Sequence, residues 1–184
     1  MPARRAMPMT TPLEPPLTSP AARPTARFML GHPARIIALG FGSGLSPFAP
    51  GTAGTLFAWA TYVLLLNRLS TFEVGALIAI SLAVGWWACA RTADEMRVLD
   101  PGSIVWDEVA AFWIVLWIVM PAGFWMQLAA FALFRGFDVA KPGPVGWADK
   151  LFHGFGWRGG LGIMLDDLVA AFCALLVIAA WRFW

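Results

Sequence analysis

Charge is scarce in this chain: 13% of its 184 residues are Asp, Glu, Lys or Arg, where a soluble domain averages about 25%. Cysteine and histidine occur twice each and tyrosine once. Cys89 and Cys173 both lie inside apolar runs, which excludes a disulfide framework or a metal–thiolate motif and suits small apolar packing. His32 and His153 are isolated from one another, and His153 reads as a simple loop residue. A formal net charge of +2, with no basic segment interleaved with stacking aromatics, gives no case for nucleic acid. Residues 1–30 are rich in Pro, Ala, Thr and Arg and lack an apolar run long enough for a signal sequence. They read as a disordered, cytoplasmic tail.

What the chain has in excess is apolar bulk. Hydrophobic residues make up 59%, with eleven Trp and fourteen Phe, and the mean hydropathy is +0.69. Against about 45–50% apolar in a soluble domain, this predicts an all-α integral membrane protein, with one membrane-embedded domain over residues 31–184. Apolar runs occupy residues 52–66, 72–90, 109–120, 124–134 and 163–184. A full crossing needs about 20 helical residues. The first, second and last runs reach that with their flanks, whereas the third and fourth are short and separated by Pro121-Ala-Gly123. The expected architecture is a small bundle of four to five transmembrane helices. Five crossings with the N-terminus inside place eleven of the thirteen Lys and Arg on the inner side, leaving Arg68 and Arg182 outside. The bias favours that count over a single fused span. One consequence is that a Gly/Pro-rich loop system gathers at the cytoplasmic face.

Nine of the eleven carboxylates lie between Asp94 and Asp167, and this topology puts all nine on that face. Asp100, Asp107 and Glu108 precede the third run within nine residues. Helix-start electrostatics explains one acid there comfortably, but not three. Residues 35–55 carry Gly40, Gly42, Gly44, Gly51 and Gly54 with Pro47 and Pro50. That stretch reads either as a loop offering backbone N–H groups and the Ser46 and Thr52 hydroxyls to a phosphate, or as a tight-packing connector. Arg135, Asp138 and Lys141 recur at i, i+3 and i+6 and share a face if the helix continues to Pro142. They form either a solvated ion-pair ladder or a phosphate clamp. Asp166 and Asp167 open the last run, and as helical neighbours they diverge by ~100° about the axis. One is therefore expected to ligate an ion while the other supports a cation or water. Oxygen donors without thiolates point to Mg²⁺.

Four segments, at 40–55 (GFGSGLSPFAPGTAGT), 100–108 (DPGSIVWDE), 134–149 (FRGFDVAKPGPVGWAD) and 159–167 (GGLGIMLDD), together resemble the phosphatidylglycerophosphatase A family. The resemblance runs from about Leu39 to the C-terminus. It implies a Mg²⁺-dependent enzyme of the bacterial inner membrane that removes the phosphate monoester of phosphatidylglycerophosphate on the cytoplasmic side. The matched acids are Asp100, Asp107, Glu108, Asp138, Asp149, Asp166 and Asp167, and the matched cations are Arg135 and Lys141. Asp107, Glu108, Asp166 and Asp167 are the expected metal ligands. Arg135 and Lys141, with Ser46 and Thr52, are the expected phosphate contacts. Two other classes compete: a cation transporter or channel, whose acids belong at mid-membrane depth, and a CDP-alcohol phosphotransferase, whose spaced Asp-Gly…Ala-Arg signature is not visible here.

Overall fold

The computed structural model describes residues 23–152 and 154–182. The first 22 residues of the expected tail, and His153, lie outside the described residues. Eight α-helices and no strand occur among the described residues. The first two are short: α1 (Ala26–Leu30) and α2 (Pro33–Ala38). The tail was expected to reach about residue 30, yet α1 is ordered by local contacts. The Thr25 hydroxyl caps it by accepting from Phe28 N at 3.2 Å, and the Arg35 guanidinium sits 4.2 Å from the centre of the Phe28 ring. His32 has a structural task, its Nδ1 accepting from Ala34 N at 3.1 Å to cap α2.

Five long helices follow the five apolar runs: α3 (Pro50–Leu64), α4 (Thr71–Met96), α5 (Trp106–Val119), α6 (Phe124–Ala140) and, after the short α7 (Pro144–Leu151), α8 (Gly156–Arg182). Their boundaries follow local chemistry. Pro50 stands at the first position of α3, where its missing N–H costs nothing. Ser70 and Glu73 form a reciprocal capping box on α4. Lys141 ends α6 in a left-handed conformation with φ 42°, and Pro142 follows. Tight turns connect α3–α4 and α5–α6, so successive long helices reverse direction.

Two helices are long and apolar enough to cross a membrane, α4 with 26 residues and α8 with 27. Their outer faces expose Phe72, Ile80, Phe172, Leu176 and Trp181, a pattern typical of surfaces that meet another apolar phase. The 14-residue α5 is different. Helices α3, α4, α6 and α8 all pack on it, and Val109, Ala110, Ala111, Phe112, Val115 and Leu116 are fully buried. Its all-round apolar character therefore serves protein packing. Indole N–H groups bind the helices to it: Trp106 Nε1 donates to Ser81 O at 3.1 Å and Trp113 Nε1 to Ala58 O at 3.0 Å.

The reversals give the bundle two unlike ends. At one end stand the starts of α3, α5 and α8 and the finishes of α4 and α6, with the acids from Asp94 to Asp149, while Asp166 and Asp167 lie about three turns into α8. At the other stand the Ser70–Glu73 cap, Arg68, and Arg182, whose guanidinium donates to Val119 O at 3.1 Å. The glycine-rich stretch is a 3₁₀ turn (Gly40–Leu45) leading to α3. It packs against the segment ahead of α5, where Val105 N donates to Ala38 O at 2.9 Å. A side chain at Gly44 would collide with Ser103 O, so part of the glycine content is explained by tight packing.

Candidate active site

The start of α5 brings Asp107 and Glu108 inward, and α8 presents Asp166 and Asp167 about three turns from its own start. Asp107, Asp166 and Asp167 are only 8%, 7% and 3% exposed. Oxygens of Asp107, Glu108 and Asp167 lie within 4.8 Å of one another, and so do oxygens of Asp138, Asp166 and Asp167. Like charges held this closely in a low-dielectric setting repel strongly, so the arrangement calls for compensating cations.

Arg135 and Lys141 supply positive charge. Arg135, one turn before the end of α6, bonds through Nη1 to Asp138 Oδ2 and reaches Glu108 Oε1 at 3.5 Å. Lys141 Nζ bonds Asp166 Oδ2 at 2.6 Å and also Asp149 Oδ1 on α7. Burial alone pulls the Lys141 pKa down, but the hydrogen bonds to Asp149 and Asp166 outweigh it and hold the pKa above an ordinary lysine's. The expected Arg135–Asp138–Lys141 ladder is thus only half formed. Arg135 and Asp138 pair at i, i+3, whereas the left-handed turn at Lys141 sends its ammonium toward α7 and α8.

Compensation is incomplete. Asp107 Oδ1, Glu108 Oε2 and Asp166 Oδ1 are buried without a hydrogen-bond partner, as is Arg135 Nε. Buried polar atoms are rarely left unpaired, and each such orphan asks for an explanation. The donor set is entirely oxygen, which suits a hard divalent cation.

The start of α3 closes the site on a further side. A Cβ at Gly51 would collide with Glu108 Oε1 and come within 3.1 Å of both terminal nitrogens of Arg135. Only glycine lets this helix start approach so closely. Thr52 lies in the same first turn and is half-buried. Ser46 stands farther out, its Oγ donating to Phe48 O at 2.7 Å. Asp100 belongs to neither carboxylate group. It is exposed, and it lines both a cavity of about 180 Å³ shared with Asp149 and Asp166 and one of about 420 Å³ shared with Ser46 and Ser103. Asp138 joins the four expected metal ligands here, and Gly51 lies against Glu108. The place of Asp138 in the 134–149 segment, with its i, i+3 spacing from Arg135, was the signal for the former.

Residues 36–182 match the family model described as Phosphatidylglycerophosphatase A. The chain belongs to this family. Phosphatidylglycerophosphatase A of Escherichia coli (strain K12) is 40% identical over 146 residues, covering 79% of this chain and 81% of the relative. The protein of that name from Haemophilus influenzae is 41% identical over 162 residues, covering 88% and 96%. A relative from Bacteroides thetaiotaomicron, named "Putative phosphatidylinositol-3-phosphatase", is 39% identical over 154 residues, covering 80% and 92%. No solved structure matches. The resemblance carried by the four segments is borne out, and membership makes the chain a phosphatase of this family's type.

Proposed function

We propose that this protein is a Mg²⁺-dependent phosphatase of the bacterial inner membrane that converts phosphatidylglycerophosphate to phosphatidylglycerol and inorganic phosphate. The family match over residues 36–182 carries the reading, and the buried carboxylates with orphaned oxygens support it. Asp107, Glu108, Asp166 and Asp167 would hold the metal, with Asp138 beside them. When bound, Mg²⁺ supplies Lewis-acid polarisation of a phosphoryl oxygen and a lowered pKa for a coordinated water.

The chain's own residues do the rest. Arg135 offers a planar fork and Lys141 a point charge to the phosphoryl oxygens, stabilising charge as it develops. Both are engaged by carboxylates here, which holds them in place before substrate arrives. The start of α3, pressed against Glu108 and Arg135 at Gly51, adds the positive end of a helix on the phosphate side. The reaction consumes one water and breaks the bond between phosphorus and the glycerol oxygen, releasing phosphatidylglycerol as the alcohol. Asp100, between the two cavities, stands where the rest of the headgroup would lie.

In the membrane reading, α4 and α8 cross with their exposed apolar faces toward lipid. Helices α3, α5 and α6, with 15, 14 and 17 residues, measure roughly 21–26 Å at ~1.5 Å per residue. They complete a five-crossing bundle with help from their flanking turns, and α5 is shielded from lipid by its neighbours. The acids then lie toward the cytoplasmic side, with Asp166 and Asp167 about three turns into α8, and their pairing with Arg135 and Lys141 suits a phosphate-bearing headgroup better than a transported cation.

The test is phosphate release by purified protein from phosphatidylglycerophosphate, with and without EDTA, alongside phosphatidylinositol 3-phosphate as a competing substrate. EDTA-sensitive release favouring phosphatidylglycerophosphate is expected. Absence of release across several detergents, or a clear preference for the inositol lipid, overturns the assignment.

A further inference from the structure

The two carboxylate groups share one member. Asp167 stands within 4.8 Å both of Asp107 and Glu108 and of Asp138 and Asp166. We propose that the site takes two divalent cations, with Asp167 common to both, Asp107 and Glu108 completing one position, and Asp138 and Asp166 the other. The inference rests on the phosphatase reading above and extends it to the number of ions and the ligand set, including Asp138.

Two independent observations carry it. Each group contains a residue more than nine-tenths buried with an orphaned oxygen: Asp107 Oδ1 in the first and Asp166 Oδ1 in the second. One ion seated in either group leaves the other group's oxygen unsatisfied. Asp166 is the sharper case, because Lys141 already occupies its Oδ2 and the bare oxygen is still buried. The second observation is charge. Arg135 and Lys141 pair with the group formed by Asp107, Glu108, Asp138, Asp149, Asp166 and Asp167. When all are ionised, this leaves an excess of four negative charges around a site that must admit an anion. One divalent ion halves that excess, and two cancel it. Paired ions are also well suited to phosphoryl transfer, since they stabilise the attacking and leaving oxygens together.

The experiment is a Mn²⁺ titration of the purified full-length protein in detergent without substrate, read by calorimetry and by low-temperature electron paramagnetic resonance. Two Mn²⁺ per chain with a spin-coupled spectrum are expected. Asp138→Asn should retain one ion with an uncoupled spectrum, and Glu108→Gln should do the same from the other side, so one misfolded variant does not decide the matter. Helix content by circular dichroism and a monodisperse elution profile check folding. One Mn²⁺ per wild-type chain, or two per chain unchanged in both variants, overturns the proposal. A wild-type protein that binds one ion and still releases phosphate defeats the two-ion site alone. One that binds two ions but hydrolyses no lipid phosphate supports the site and defeats the phosphatase reading.

Discussion

Asp107–Glu108 and Asp166–Asp167 look alike in the sequence: two adjacent carboxylates at the start of an apolar run. The structure sets them in different situations. The first pair lies in the opening turn of α5, where the helix end favours negative charge by about 0.3–1 kcal/mol per group. The second lies about three turns into α8, beyond the reach of that effect, which fades within the first turn. Helix stability explains the α5 pair in part and the α8 pair not at all. Asp166 is held by Lys141, while Asp167, almost fully buried, stands among four other acids. A residue placed at such electrostatic cost, with no return in folding, is the strongest mark of function in the molecule.

Substitutions at the two pairs sharpen this contrast. Asp167→Asn should have the largest effect, lowering phosphate release by ~10³-fold or more, the scale expected when a preorganised charge is lost from a reacting centre. Because a mutually repelling acid is removed, thermal stability in detergent should hold or rise. Asp107→Asn should cost about 10²-fold, but its stability should fall slightly, since a helix-start charge is lost as well. A matching loss of stability in both variants would erase the distinction between the pairs. Next comes Arg135→Lys, expected to lose roughly 10–100-fold in turnover, because an ammonium cannot hold Glu108 and Asp138 as a planar fork does. The far end supplies the smallest effect. Glu73→Gln weakens the capping box slightly, read as a small shift in melting temperature, with phosphate release within about twofold of wild type. A large activity loss there would mean that the two ends are coupled.

Much of this was legible in the sequence. The apolar runs mark the five long helices to within a few residues, except that α4 and α6 run on six residues past their runs, through Asp94–Met96 and Arg135–Ala140, and α8 begins seven residues before its run, at Gly156. The gathering of acids at one end follows from the alternation of helix direction. Three things were hidden. A helix surrounded by protein and one surrounded by lipid carry the same all-round apolar pattern, so the central place of α5 had to come from tertiary packing. Lys141 lies at helical spacing from Asp138, but Gly143 and Pro142 break the helix there, and the resulting left-handed turn hands its ammonium to Asp149 and Asp166. The convergence of Asp138 with Asp166 and Asp167 joins residues 28 and 29 positions apart, a proximity that only the packing of α6 on α8 creates.

The most direct test sets wild type and Asp167→Asn side by side, measuring phosphate release from phosphatidylglycerophosphate across a Mg²⁺ titration. The wild type should rise to saturation with Mg²⁺ and fall to background with EDTA. The variant, with unchanged helix content, should stay near background at every Mg²⁺ concentration. Turnover by Asp167→Asn within a few-fold of wild type would contradict the account, because the carboxylate shared by both groups would then be dispensable.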